Sequence, residues 1–119
     1  MKLLKQEHIR RLLANGRWNR SRFNDHQQAD DFRPVVKFFC PWGGATWLLT
    51  ELDPDEPDIA FGLCDLGIGT PEIGKVRLSE LASLRGPGGL RVERDKWFRA
   101  TKSLSAYAAE ARAHGRVLA

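Results

Sequence analysis

The chain has 119 residues, 42% of them hydrophobic, with 19 Lys and Arg against 15 Asp and Glu for a formal net charge of +4, and two cysteines. A chain of this length buries roughly two-thirds of the surface its unfolded form exposes, so a single domain spanning residues 1–119 is expected, folding without disulfide or metal. No apolar run approaches the roughly 18 residues of a membrane span, and Met1–Ile9 carries two Lys, a Glu and a His where a signal peptide has its apolar core. A cytoplasmic protein without a membrane partner is expected.

A first helix is predicted from about Lys5, with Leu4 and Ile9 as a hydrophobic staple and Ile9, Leu12 and Leu13 on one face. Asn15-Gly16 supplies the left-handed residue that commonly ends a helix. Arg17–Arg33, polar and basic with Trp18, Phe23 and Phe32 as its large apolar groups, is then expected to run extended, docked by those aromatics, as a candidate binding segment.

The centre reads as a β-meander. Val35–Cys40 is β-branched and aromatic, Pro41-Trp42-Gly43-Gly44 turns the chain, and Ala45–Leu52 returns as a hairpin partner. Alternation places Trp47, Leu49 and Glu51 on one face and Thr46, Leu48, Thr50 and Leu52 on the other. The acidic, proline-containing stretch 53–58 is a turn, Ile59–Leu66 a third strand interrupted by Gly62, and Gly74–Leu78 a fourth with Val76 and Leu78 inward. Ser79 is a candidate N-cap for a short helix Glu80–Leu84, Leu90–Arg94 an edge strand, and Lys96-Trp97-Phe98 the approach to a last helix. That helix has Ser103 as its cap, Leu104, Tyr107, Ala108 and Ala111 on one stripe, and Gly115 at its end. The expected class is α+β: an antiparallel sheet of four to five strands with N- and C-terminal helices packed on it.

Charge is unevenly distributed. Residues 1–37 carry nine basic and four acidic groups, residues 75–119 ten and four, and residues 38–74 seven acidic groups and no Lys or Arg. Two basic ends thus flank an acidic centre. The basic candidates for binding a nucleic acid or another partner are Arg10, Arg11, Arg17, Arg20 and Arg22, interleaved with Trp18 and Phe23, together with Arg94, Lys96 and Arg99. Arginine beside aromatic groups pairs phosphates and stacks on bases. The acidic candidates for a partner are Glu51, Asp53, Asp55, Glu56, Asp58 and Asp65, and the simplest alternative is that the two sets pair with each other. Glu51 and Asp65 each close an apolar strand and form, if adjacent, the one candidate carboxylate pair.

No other motif reaches a recognisable chemistry. Gly67-Ile68-Gly69 is followed by a strand, whereas a dinucleotide loop opens a helix, and no Lys-Ser or Lys-Thr follows Gly86-Pro87-Gly88-Gly89. Pro54 and Pro57 break any EF-hand pattern, and His8, His26 and His114 have no second ligand at metal spacing. Cys40 and Cys64 are expected as small buried hydrophobes. No catalytic, metal or cofactor set is assigned.

The strings Trp47-Leu48-Leu49-Thr50-Glu51, Phe61-Gly62-Leu63-Cys64-Asp65-Leu66-Gly67, Pro71-Glu72-Ile73-Gly74 and Leu78-Ser79-Glu80-Leu81 carry a resemblance over most of the chain. It resembles a bacterial family of small single-domain proteins of unknown function found on plasmids and integrative conjugative elements. The Cys40–Gly44 turn and Lys75 depart from the family pattern. The alternating charge blocks and the lack of an assembled catalytic set point to a non-enzymatic binding module acting through charged surfaces on a protein or nucleoprotein partner; the resemblance implies a mobile genetic element as its setting, an anti-defence (anti-CRISPR or anti-restriction) factor being its sharpest form. Direct DNA or RNA binding and a metal-dependent enzyme using the acidic centre are the alternatives, and self-association is a further use of opposed charges.

Overall fold

The computed structural model describes residues 3–119. Its elements are α1 (Gln6–Asn24), β1 (Val36–Phe39), β2 (Thr46–Leu52), β3 (Ile59–Asp65), β4 (Glu72–Arg77), α2 (Leu78–Ser83), β5 (Glu93–Arg94) and α3 (Leu104–His114). The strands form one antiparallel sheet in the order β4-β3-β2-β1-β5, so the predicted α+β meander is present and the short β5 returns to the free edge of β1. Alternate side chains leave the sheet on opposite faces. Val36, Phe38, Trp47, Leu49 and Ala60 meet Leu12 of α1 and Leu81 of α2 on one face, while Leu48 and Leu63 meet Leu104, Tyr107, Ala108 and Ala111 of α3 on the other. No helix among the described residues is long and apolar enough to cross a membrane.

The last helix follows its sequence signals closely. The Ser103 hydroxyl accepts from the Ala106 amide at 3.4 Å, the buried residues are the predicted stripe, and Gly115 ends the helix at φ 72°. The short helix α2 differs. It begins at Leu78, and the expected Ser79 cap is replaced by Asp58 from the acidic turn, whose backbone carbonyl accepts from the Leu78 amide (2.8 Å) and whose carboxylate accepts from the Ser79 amide (3.0 Å). A carboxylate at that end satisfies orphan amide donors and complements the helix dipole.

The largest correction concerns α1, which runs to Asn24 instead of stopping at Asn15-Gly16. Gly16 lies on the packed face, where a Cβ would stand 1.9 Å from the Leu52 carbonyl oxygen. Here the glycine permits close approach of helix to strand and does not end the helix. The true end is a Schellman arrangement, with the Gln27 amide donating to Arg22 O, the His26 amide to Phe23 O, and His26 in the left-handed region at φ 58°. The extended connection is therefore only 25–35, and it is held at several points along its length. Asp30 is tied to Asn19, the Asp31 carboxylate accepts from the Ser105 amide at 3.0 Å, and the Phe32 carbonyl accepts from the Leu104 amide at 2.9 Å.

A β-bulge between Leu49 and Glu51 shifts the alternation of β2. Leu52, expected on the Leu48 face, joins Trp47 and Leu49 under α1 instead. The Thr50 carbonyl at the bulge accepts from Asn15 Nδ2 at 3.0 Å, and Asn19 Nδ2 donates to the Glu51 carboxylate at 3.1 Å and to the Asp30 carbonyl at 3.2 Å. Buried Asn19 thus joins helix, strand and connection.

Gly→Ala in a helix interior ordinarily stabilises by about 0.5–1 kcal/mol. For Gly16→Ala the sign reverses, because the methyl group meets backbone that cannot swing aside, and a loss of about 1–3 kcal/mol is expected. Thermal unfolding checks this: the melting temperature falls by several degrees, whereas a rise would remove the packing role assigned to Gly16.

Candidate functional site

The N-terminal end of α1, the segment before β1 and the chain from β5 to α3 enclose a cleft of about 560 Å³. It brings together cations from both basic ends: Lys5, Arg11 and Arg33 from one, Arg94, Lys96 and Arg99 from the other. Glu7 and Asp95 are the carboxylates on its walls. None of the six cations lies within salt-bridge distance of a carboxylate among the described residues. Asp95 is otherwise engaged, its carboxylate 3.6 Å from the Lys37 ammonium and accepting from the Trp97 amide at 2.9 Å. The Arg94 guanidinium donates to the Leu3 carbonyl, which ties that side chain to the segment before α1.

His8 completes the wall. Its Nδ1 accepts from the Lys5 amide at 3.1 Å, so the neutral ring carries its proton on Nε2 and offers one more donor. Burial, then the neighbouring Arg94 charge, lowers its pKa below the ordinary 6.5, Lys5 and Arg11 adding to the effect and Glu7 opposing it. The cleft is therefore a set of hydrogen-bond donors and positive charges. Six cations face two carboxylates, Glu7 and Asp95, on these walls, so the arrangement suits holding an anion.

The basic candidates divide. Arg11, Arg94, Lys96 and Arg99 reach the cleft. Arg10 and Arg17 are exposed elsewhere on α1. Arg20 pairs with Asp53 at 3.3 Å and with Asp55, and Arg22 lies 3.5 Å from Asp30 and 6.0 Å from the Trp18 ring centroid. The single arginine surface suggested by Arg10–Arg22 does not form, because a continuous helix turns about 100° per residue and spreads these side chains around its axis. Lys5, Arg33 and His8 are not singled out by the sequence. The first two have only their membership of the basic blocks as a signal, and His8 only its place one turn into a helix.

The acidic candidates are mostly engaged within the chain. Asp53 and Asp55 hold Arg20, while Arg77 lies 2.8 Å from Glu56 and 3.7 Å from Asp58. The Asp58 carboxyl is held below its usual range, first by the Ser79 hydroxyl, and that of Asp53 first by the Asp55 amide. Glu51 has its pKa raised by burial, against the hydrogen bonds from Asn19 and Thr50. Asp65, 1% exposed, accepts from the amides of Gly67 (2.8 Å) and Val117 (3.0 Å) and pins the segment after α3 to the end of β3. Glu51 and Asp65 are not a pair. Asp65 stands opposite Thr46, five residues along β2 from Glu51, roughly 16 Å at strand rise. Among the described residues no three His, Cys, Asp or Glu converge as a metal site requires. Cys40 is buried and Cys64 half-buried, both are free thiols, and burial raises the pKa of each.

The fold and cleft together define an α+β sheet domain with a cationic groove built from its two basic segments. The family model described as "Protein of unknown function (DUF2958)" matches residues 3–118, and the chain belongs to that family. No curated protein and no solved structure matches it.

Because the folded state lowers the His8 pKa, the unfolded chain takes up that proton first as pH falls. The His8 contribution to stability is constant above the ordinary value of 6.5 and declines as pH drops below it. In an NMR titration the His8 ring is expected to titrate below 6.5, and Arg94→Gln to move its midpoint part of the way back, burial being the larger cause. An unmoved midpoint in that variant would separate His8 from the cleft's charge.

Proposed function

We propose that this protein is a nucleic-acid-binding module whose phosphate-binding surface is the cleft between the start of α1 and the β5–α3 connection. The observation that carries the reading is the convergence of Lys5, Arg11, Arg33, Arg94, Lys96 and Arg99 with no carboxylate paired to any of them among the described residues. Arginine forks and lysine ammonium groups suit phosphate oxygens, and several of them together suit a polymer of phosphates better than a single anion. Binding of this kind releases counterions, so affinity falls steeply with salt.

A protein or nucleoprotein partner is the second reading. It is favoured by exposed Leu66 and Ile68 on the β3–β4 loop, apolar groups on the opposite side of β3 in sequence from the acidic turn. The acidic set gives it less support, since Asp53, Asp55, Glu56 and Asp58 already hold Arg20 and Arg77. An accessory role on a mobile element, including an anti-defence role, is compatible with either ligand and rests on the sequence resemblance alone.

Two double variants of equal net charge separate the cleft from general basicity. Lys96→Glu with Arg99→Glu is expected to abolish most binding to a labelled oligonucleotide and to lower the slope of log affinity against log salt by about one per lost contact. Arg10→Glu with Arg17→Glu, away from the cleft, is expected to change affinity by no more than about twofold, long-range attraction being screened within about a Debye length. Equal losses in the two variants, or no retention of nucleic acid at low salt, would overturn the proposal.

A further inference from the structure

The four tryptophans differ in what they do for the fold. Trp47 is buried in the sheet. The Trp42 ring covers Gly86, where a Cβ would come within 2.3 Å of it. Trp18 is 52% exposed, yet its indole N–H donates to the Asp30 carboxylate at 2.6 Å and its ring faces Arg22. Trp97 alone plays no such part. It is 86% exposed, and among the described residues its indole N–H has no partner. Its neighbours in the chain include Lys96 and Arg99, both on the cleft wall.

The turn that presents this ring is firmly held. The Asp95 amide donates to the Lys37 carbonyl at 2.9 Å, the Asp95 carboxylate accepts from the Trp97 amide at 2.9 Å, and the Phe98 amide donates to the Asp95 carbonyl at 3.3 Å. Phe98 turns inward, its ring centroid 6.4 Å from that of Tyr107 at an interplanar angle of 47°. Residues on both sides of Trp97 are thus anchored while its own ring is left in water. An indole offers roughly 150–250 Å² for burial, a large apolar surface for a folded protein to leave unused.

We infer that the ligand of the cleft is a single-stranded nucleic acid, with its phosphates on the cleft cations and one base stacked on Trp97. The inference rests on the phosphate-binding reading of the cleft and adds the class of strand. In a duplex each base already has neighbours on both faces and presents only its edges in the grooves, so an indole on a projecting turn finds no ring to stack on. An unpaired strand offers ring faces, and cations beside an exposed aromatic ring are the pattern of sequence-tolerant single-strand binding. DNA and RNA strands share this chemistry.

The test uses the whole chain, with fluorescence anisotropy of labelled oligothymidylate and oligouridylate about a dozen nucleotides long, a DNA duplex of equal length, and heparin as a ligand with charge but no bases. The wild type is expected to bind one or both single strands more tightly than the duplex and to lose tryptophan emission on doing so. Trp97→Ala is expected to weaken single-strand binding by about five- to a hundredfold, with heparin affinity and melting temperature unchanged, and Trp97→Phe to restore most of the loss. Undiminished single-strand binding by Trp97→Ala, or a wild type that binds duplex as tightly as single strand, would overturn the stacking inference while heparin binding leaves the cationic cleft in place. Failure to bind heparin and every nucleic acid would remove the cleft reading and this inference with it.

Discussion

The seat of α1 on the bulged end of β2 governs the rest of the structure. Gly16 allows the helix backbone to touch the Leu52 carbonyl, Asn15 takes the Thr50 carbonyl that the bulge displaces, and Asn19 reaches Glu51 and Asp30 from the next turn. Of the nineteen residues of α1 only Leu12, Gly16 and Asn19 are buried, with Ile9 and Leu13 packed partly against the core, so fit and amide hydrogen bonds position the helix together with a narrow apolar face. That position gives the two ends of the helix different roles. Arg20 falls beside the acidic turn, and Lys5, His8 and Arg11 fall beside the β5–α3 connection.

The charges sort themselves accordingly. Arg20 and Arg77 answer the acidic turn and Arg22 answers Asp30. These are exposed ion pairs, each contributing about 0–1 kcal/mol, so they do little to hold the fold. Their consequence lies in what they leave over. The acidic centre consumes cations at one end of α1, and those left without a carboxylate include the cleft set at the other. A formal net charge of +4 thus understates the local field of the cleft, where cations without a carboxylate partner are gathered.

What is legible in the sequence is local. The Ser103 cap, the Leu104–Ala111 stripe and the Gly115 stop depend on neighbours within a few residues, as do the β1–β2 hairpin and the acidic turn, and all are found where expected. Gly16 misleads because a glycine after an asparagine signals a helix end and a close backbone contact with the same letters, and only the strand across from it decides between them. Leu52 lies on the face opposite to the expected one because a one-residue bulge inverts the alternation beyond it. Ser79 loses its capping role to Asp58, twenty-one residues away in sequence. The cleft is legible only in part: Arg11, Arg94, Lys96 and Arg99 stand out from the charge pattern, but their meeting with Lys5, Arg33 and His8 is a property of how α1 docks.

The most direct measurement is a titration of uniformly 15N-labelled protein with an unlabelled single-stranded oligonucleotide, followed by amide chemical shifts. Perturbations are expected at Lys5–Arg11, Arg33–Val36 and Arg94–Ala100, with the Trp97 indole N–H among the largest. Shifts confined to the 53–58 turn or the Leu66–Thr70 loop, or no shifts at low salt, would contradict the assignment of function to the cleft.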